Sequence, residues 1–115
     1  MNSAEFRKEL LKIMPGYNWT VHKPLFKDTS YLEATGVQSS GFNRLSTLSV
    51  VRREKDSKVE YEVKSAGFGL RAPWLFTVSE GTLARALRTL QTHYENVAAN
   101  YSSHARALQD GRKLA

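Results

Sequence analysis

The sequence predicts an α+β domain: a short N-terminal helix, an antiparallel sheet of about four strands around a central hairpin, and a long C-terminal helix packed on one face. Three observations lead there. Apolar residues recur at helical spacing over residues 3–14 and again from Ser79 to Asp110. Two runs rich in β-formers, Arg44 to Glu54 and Val59 to Ala66, flank a short polar turn. A chain of 115 residues with 41% hydrophobic content suffices for one core, and a single domain over 1–115 is expected.

In the first helix Phe6, Leu10, Ile13 and Met14 share one side, while Glu5, Arg7, Lys8, Glu9 and Lys12 take the other. Asn2 or Ser3 caps its start and Pro15-Gly16 ends it. Tyr17 to Lys23 alternates as a first strand, with Tyr17, Trp19 and Val21 on one face, until Pro24 stops it. A linker over Leu25 to Thr29 leads to a second strand, Ser30 to Gln38, in which Gly36 weakens the strand or marks a bulge.

The polar turn Lys55-Asp56-Ser57-Lys58 sets Glu54 opposite Val59 and so fixes the hairpin register. Val50 then faces Val63 and Arg52 faces Tyr61 on one side. Arg53 meets Glu60 and Ser49 meets Lys64 on the other, a sensible opposite-charge pairing. The same register places Arg44 beside Gly69 and Phe42 beside Arg71. Two Gly-Phe segments, Ser40-Gly41-Phe42-Asn43-Arg44 and Ala66-Gly67-Phe68-Gly69-Leu70-Arg71, therefore meet at the end of the hairpin opposite its loop.

Leu70 to Val78, with Pro73, Trp74 and Phe76, crosses back over the sheet with room for a short strand. From Ser79 to Asp110 the stripe Leu83, Leu87, Leu90, Tyr94, Val97, Tyr101 and Leu108 is spaced by fours and threes, Ala105 filling the gap, and Asp110-Gly111 reads as the stop. Such a helix is about 45 Å long, whereas four strands make a sheet under about 20 Å wide. Either Asn100 to Ser103 breaks it, or its end packs against the first helix or a second subunit. Tyr94, Val97, Tyr101 and Leu108 are the candidate interface for self-association.

Seventeen Lys and Arg against eleven Asp and Glu give a net charge of +6, which favours polyanionic partners. There is no cysteine, which excludes disulfides, thiolate metal sites and cysteine nucleophiles and suits a reducing cytoplasm. No signal peptide or membrane-length apolar run is present, so no membrane partner is expected.

Catalytic chemistry finds little support. His22, His93 and His104 lack the spacing of a shared metal site, and no cofactor motif occurs, Gly67-Phe68-Gly69 being only Gly-x-Gly. Glu60 and Glu62 share a strand face with Arg53 nearby and read as a solvated charge ladder. No Gly-x-Ser-x-Gly elbow is found.

The Gly-Phe segments are the strongest binding candidate. Phe42 and Phe68, with Trp74, offer flat faces for unpaired bases, while Arg44, Arg71 and Lys64 hold phosphates. The commoner arrangement has glycine making the turn and phenylalanine plugging the end of the core. Arg44 and Arg71 resist that explanation, having no acidic neighbour within several residues. Arg85 and Arg88, one helical turn apart and following the second Gly-Phe segment, extend the positive surface in this reading. The expected activity is non-enzymatic, salt-sensitive binding of DNA or RNA with weak sequence preference; the alternative is an assembly module that dimerises through the long helix and binds an acidic protein. The helix-strands-helix order resembles double-stranded RNA-binding domains in topology alone. Where those domains carry lysines at the start of the second helix, this chain has Ser79-Glu80-Gly81-Thr82.

Overall fold

Asn2 opens the first helix, α1 (Ser3–Ile13), through a capping box. The Glu5 backbone N–H donates to Asn2 Oδ1 at 2.9 Å and the Asn2 N–H donates to Glu5 Oε1 at 3.3 Å, satisfying two otherwise orphaned donors. Phe6 and Leu10 are completely buried, a contribution of about 1.5–3 kcal/mol each. The computed structural model describes residues 1–23, 30–69 and 71–113; Pro24, the Leu25 to Thr29 linker and Leu70 lie outside the described residues.

Five strands follow, one more than expected: β1 (Asn18–Val21), β2 (Tyr31–Ser40), β3 (Asn43–Lys55), β4 (Lys58–Ala66) and β5 (Trp74–Glu80). They form an antiparallel meander in sequence order. The added strand is the segment from Trp74, which pairs with β4 as far as Tyr61 opposite Glu80 and takes Ser79 and Glu80 from the predicted helix. The central register is as the turn chemistry requires: Val50 faces Val63, Arg52 faces Tyr61, Arg53 faces Glu60 and Ser49 faces Lys64. Lys55 also pairs with Lys58, leaving a two-residue loop with Asp56 at φ 53 and Ser57 at φ 65, the pattern of a type I′ turn.

Gly36 marks no bulge; the register shift falls at Gln38 and Ser39. A Cβ on Gly36 would lie 2.6 Å from the Trp19 ring, so glycine is there to let the indole lie across the strand.

The last helix, α2 (Leu83–Lys113), is continuous through Asn100 to Ser103 and through Gly111, so neither a break nor the Asp110-Gly111 stop is used. Both helices cover the same face of the sheet. Phe6 and Leu10 of α1 and Leu83, Ala86, Leu87 and Leu90 of α2 share one core with Leu48, Val50, Tyr61 and Val63. The opposite face carries charge pairs: Arg53 reaches Glu62 at 3.4 Å and Glu60 at 3.9 Å, and Lys64 reaches Glu62 at 3.8 Å. Among the described residues no helix is long and apolar enough to cross a membrane.

Candidate functional site

Two turns and one helix overhang converge on the end of the sheet remote from the Asp56-Ser57 loop. The first turn is the β2–β3 tip, where Ser40 pairs with Asn43 around Gly41-Phe42. Gly41 stands at φ 60, as glycine does at the first central position of a type II′ turn, and this throws Phe42 outward. The second lies past the last β3–β4 pair, Thr47 with Ala66, where the Gly69 N–H donates to the Arg44 carbonyl at 2.9 Å. The expected adjacency of Arg44 and Gly69 is realised in that bond.

The aromatics here do not plug the core. Phe42 is fully exposed at 109%, Phe68 is 68% exposed and Trp74 50% exposed, with Leu45 and Leu75 also open to solvent. Arg44 is half-buried and Arg71 exposed; among the described residues neither guanidinium has an ion pair or a side-chain hydrogen bond. Lys64, by contrast, sits mid-sheet beside Glu62 and is partly neutralised.

Arg85 and Arg88 are placed elsewhere, which corrects the reading that they extend this surface. β5 carries the chain back along the sheet before α2 begins, so Leu83 packs near Tyr61 and only Tyr94 reaches the level of Ser65, whose hydroxyl it meets. The part of α2 that does pass the Gly-Phe end is its second half. From Ala98 to Lys113 every residue is exposed, Tyr101 at 73% and Leu108 at 72%. This overhang adds Arg106, Arg112 and Lys113 with Asp110 as its one acid, whereas Glu54, Asp56, Glu60, Glu62 and Glu80 gather toward the opposite end of the sheet. The basic charge is thereby polarised toward the exposed aromatics. The overhang's cations were missed in the sequence because the direction of the helix was unknown and because Arg112 and Lys113 lay past the stop expected at Asp110-Gly111.

No family model matches this chain, and no match to it is found among curated proteins or solved structures.

Tyr94 is half-buried against the sheet and Val97 half-buried beside it, so of the four candidate interface residues only Tyr101 and Leu108 stand open. Between α1 and α2 runs a cleft of roughly 850 Å³ whose lining includes Met14, Tyr17, Ser46, Leu48 and Leu87. Its floor is polar in part, since the Tyr17 hydroxyl donates to Ser46 Oγ at 2.8 Å. The histidines serve packing or surface contacts. His93 stacks on Phe76 with centroids 3.5 Å apart, His22 shares a 2.7 Å hydrogen bond with Thr35, and His104 is exposed on the overhang. Among the described residues no cluster of histidine and acidic side chains has the geometry to hold a metal ion.

Beneath α1, Arg52 is 7% exposed and its Nε–H donates to the Tyr61 hydroxyl at 3.1 Å, with Glu54 3.3 Å from the same guanidinium. Burial above all, together with the neighbouring Glu9 carboxylate and against the opposing effect of Arg52, pushes the Tyr61 hydroxyl up to about 12. Arg52, Tyr61 and Glu54 are hydrogen-bonded to one another inside the fold, whereas Glu9 Oε1 is buried without a hydrogen-bond partner among the described residues.

Proposed function

We propose that the chain is a small, non-enzymatic nucleic-acid-binding module acting in the cytoplasm, with the Gly-Phe end of the sheet as its binding surface. The observation that carries this reading is the exposure of Phe42 and Phe68 at the same sheet end as the guanidinium groups of Arg44 and Arg71, which have no ion pair among the described residues. Exposed rings stack on unpaired bases at about 1–3 kcal/mol per base, and every base has a face to stack, so the mode tolerates sequence. Arginines beside them hold phosphates, and Arg106, Arg112 and Lys113 on the overhang extend the positive field. Single-stranded DNA or RNA fits this surface better than a duplex, whose bases are not available for stacking.

The deciding experiment is a gel-shift titration with single- and double-stranded DNA and RNA at two salt concentrations. Binding to single strands that weakens steeply with salt supports the reading; no shift at low salt overturns it. Phe42→Ala with Phe68→Ala lowers affinity at both salts, and Arg44→Ala with Arg71→Ala lowers both the affinity and the salt slope. If both pairs bind like the native chain, the surface is wrong.

A second reading is favoured by a separate observation, the exposure of α2 from Ala98 to Lys113 with Tyr101 and Leu108 open to solvent. Most helical stability in proteins comes from packing an apolar face, and this half of α2 packs on nothing within the chain, so a partner is the natural source of further stability. In this reading the chain self-associates through α2. Light scattering that gives a concentration-independent monomer overturns it.

A further inference from the structure

We propose that the exposed half of α2 is the second wall of the nucleic-acid site: Tyr101 stacks on a base, and Arg106 and Lys113 hold phosphates of the same single strand that covers Phe42 and Phe68. The proposal rests on the nucleic-acid reading and deepens it, since the overhang's cations then touch the ligand instead of adding only a distant field.

Two projections leave the sheet at the Gly-Phe end. The β3–β4 ladder stops at Thr47 with Ala66, but β2 and β3 stay paired as far as Ser40 with Asn43. The residues from Asn43 to Ser46 carry this ribbon roughly 13 Å past the ladder, to the exposed Phe42 at its tip. α2 leaves at the same end. Ala98 and Ser46 line the same cleft, so the overhang starts where the ribbon does, and from Ala98 to Lys113 it runs about 24 Å. Between the two projections the β4–β5 connection carries Phe68, tied to β3 through the bond from Gly69 to Arg44.

The first half of α2 fixes which way the overhang's side chains face, because five turns of about 3.6 residues return a side chain to the same direction. Tyr101, Leu108 and Arg112 lie five turns past Leu83, Leu90 and Tyr94, which pack on the sheet, and so stand on the sheet side. Arg106 and Lys113 lie five turns past Arg88 and Glu95, which line the cleft toward α1. Since α2 covers β4 and β5 and α1 covers β1, that flank faces the side of the β2–β3 ribbon. Ala107 and Gly111 lie five turns past Thr89 and His93, which meet Glu80 and Phe76 of β5. This outer flank, with Asn100, carries no cation, and the one acid, Asp110, lies opposite Leu108, away from the sheet.

The cations of the overhang are therefore confined to the half of the helix that faces the ribbon and the sheet, and Arg106 and Lys113 have no ion pair among the described residues. Tyr101, 73% exposed, stands on that half with them. A row of cations beside exposed rings on both projections matches a polyanion with free base faces. Stacked nucleotides advance about 3.4 Å each, so the overhang takes about seven of them.

The test is a gel-shift titration of the full chain with twelve-nucleotide oligothymidylate and oligouridylate at two salt concentrations, the tighter of the two naming the sugar. Arg106→Ala with Lys113→Ala is compared with Asn100→Glu with Ala107→Glu, two pairs that change the net charge equally on opposite flanks. All four sites are exposed, and helical circular dichroism should be retained. The first pair is expected to lower affinity about tenfold and the salt slope by about two, and the second to change affinity less than about twofold. Tyr101→Ala lowers affinity at least about fivefold at both salts. Equal losses from the two pairs reduce the overhang to a long-range field and overturn the proposal. Native affinity in the Arg106, Lys113 pair or in Tyr101→Ala overturns it too, and leaves the nucleic-acid reading standing if Phe42→Ala with Phe68→Ala still weakens binding. Light scattering that shows a dimer loosened by Tyr101→Ala, with oligonucleotide affinity unchanged, gives the stripe to a second copy and overturns the proposal. No binding by the native chain overturns both the proposal and the reading.

Discussion

The Gly69 backbone N–H donates to the carbonyl oxygen of Arg44 at 2.9 Å, beyond the point where the β3–β4 ladder ends. That bond holds the start of the β4–β5 connection against β3 and keeps Phe68 at the same sheet end as the β2–β3 tip. Gly69 makes it at φ 111, a conformation L side chains rarely adopt. Gly69→Ala is therefore expected to lower stability by about 1–2 kcal/mol in urea denaturation, although no atom crowds the added methyl. Oligonucleotide affinity should fall with it, because the Phe68 and Arg71 segment loses its tether. Unchanged stability would mean that the alanine segment relaxes without strain and that the bond holds nothing in place.

Gly36 is constrained for a different reason. The Trp19 ring covers its α-carbon, and the indole Nε1–H donates to the Met14 carbonyl at 3.0 Å, so the ring cannot swing away without losing a bond at the end of α1. Gly36→Ala is expected to destabilise by about 1–3 kcal/mol as the ring or β2 is pushed aside. Equilibrium denaturation followed by tryptophan fluorescence would report both the stability and the altered environment of Trp19; a variant as stable as the native chain would show that the packing there yields freely.

Tyr61 links the buried polar group to alkaline stability. Its folded-state value of about 12 lies above the ordinary 10.0, so the folded chain holds the proton longer than the unfolded one. The contribution is complete below pH 10 and disappears as pH rises through about 12. Stability measured in guanidinium should fall across that window, and Tyr61→Phe should flatten the fall. Tyr31 is also shifted up, by desolvation and Glu33, so a smaller slope remains in the variant. At neutral pH Tyr61→Phe is itself less stable by about 1–3 kcal/mol, since the buried Arg52 Nε–H loses its acceptor. An identical alkaline slope in both proteins would remove Tyr61 as its source.

The register of the central hairpin was legible because a short polar turn and alternating strands leave little freedom: once Glu54 faces Val59, every pair down to Thr47 opposite Ala66 follows, and the Gly69–Arg44 bond keeps that alignment past the end of the ladder. The excess length of α2 was legible in the same way, from rise per residue against strand spacing. What sequence could not supply was direction. Trp74 to Glu80 has an interrupted pattern, and without recognising β5 as a full strand the start of α2, with Arg85 and Arg88, falls at the wrong end of the sheet. Aromatic exposure was illegible for a related reason. A phenylalanine beside a glycine turns inward or outward according to the turn type, and Gly41 at φ 60 within a two-residue loop sends Phe42 out.

The β3–β4 loop offers a stabilising change at Ser57, which with Asp56 makes the two non-glycine positions of positive φ among the described residues. Asp56 and Ser57 both hold left-handed backbone, at φ 53 and φ 65, because a two-residue loop between twisted strands requires it. Aspartate tolerates this conformation through its short polar side chain, whereas serine has less to offset the steric penalty. Ser57→Gly converts the loop to Asp-Gly, a sequence preferred for this turn, and is expected to raise stability by about 0.5–1 kcal/mol, seen as a higher urea midpoint with unchanged m-value. Ser57 is exposed and the loop lies at the sheet end opposite the Gly-Phe turns, so oligonucleotide binding should be unaffected. A lower midpoint would show that the entropy glycine adds to the unfolded chain outweighs the strain it relieves, and that the turn is better adapted to serine than its dihedral angle implies.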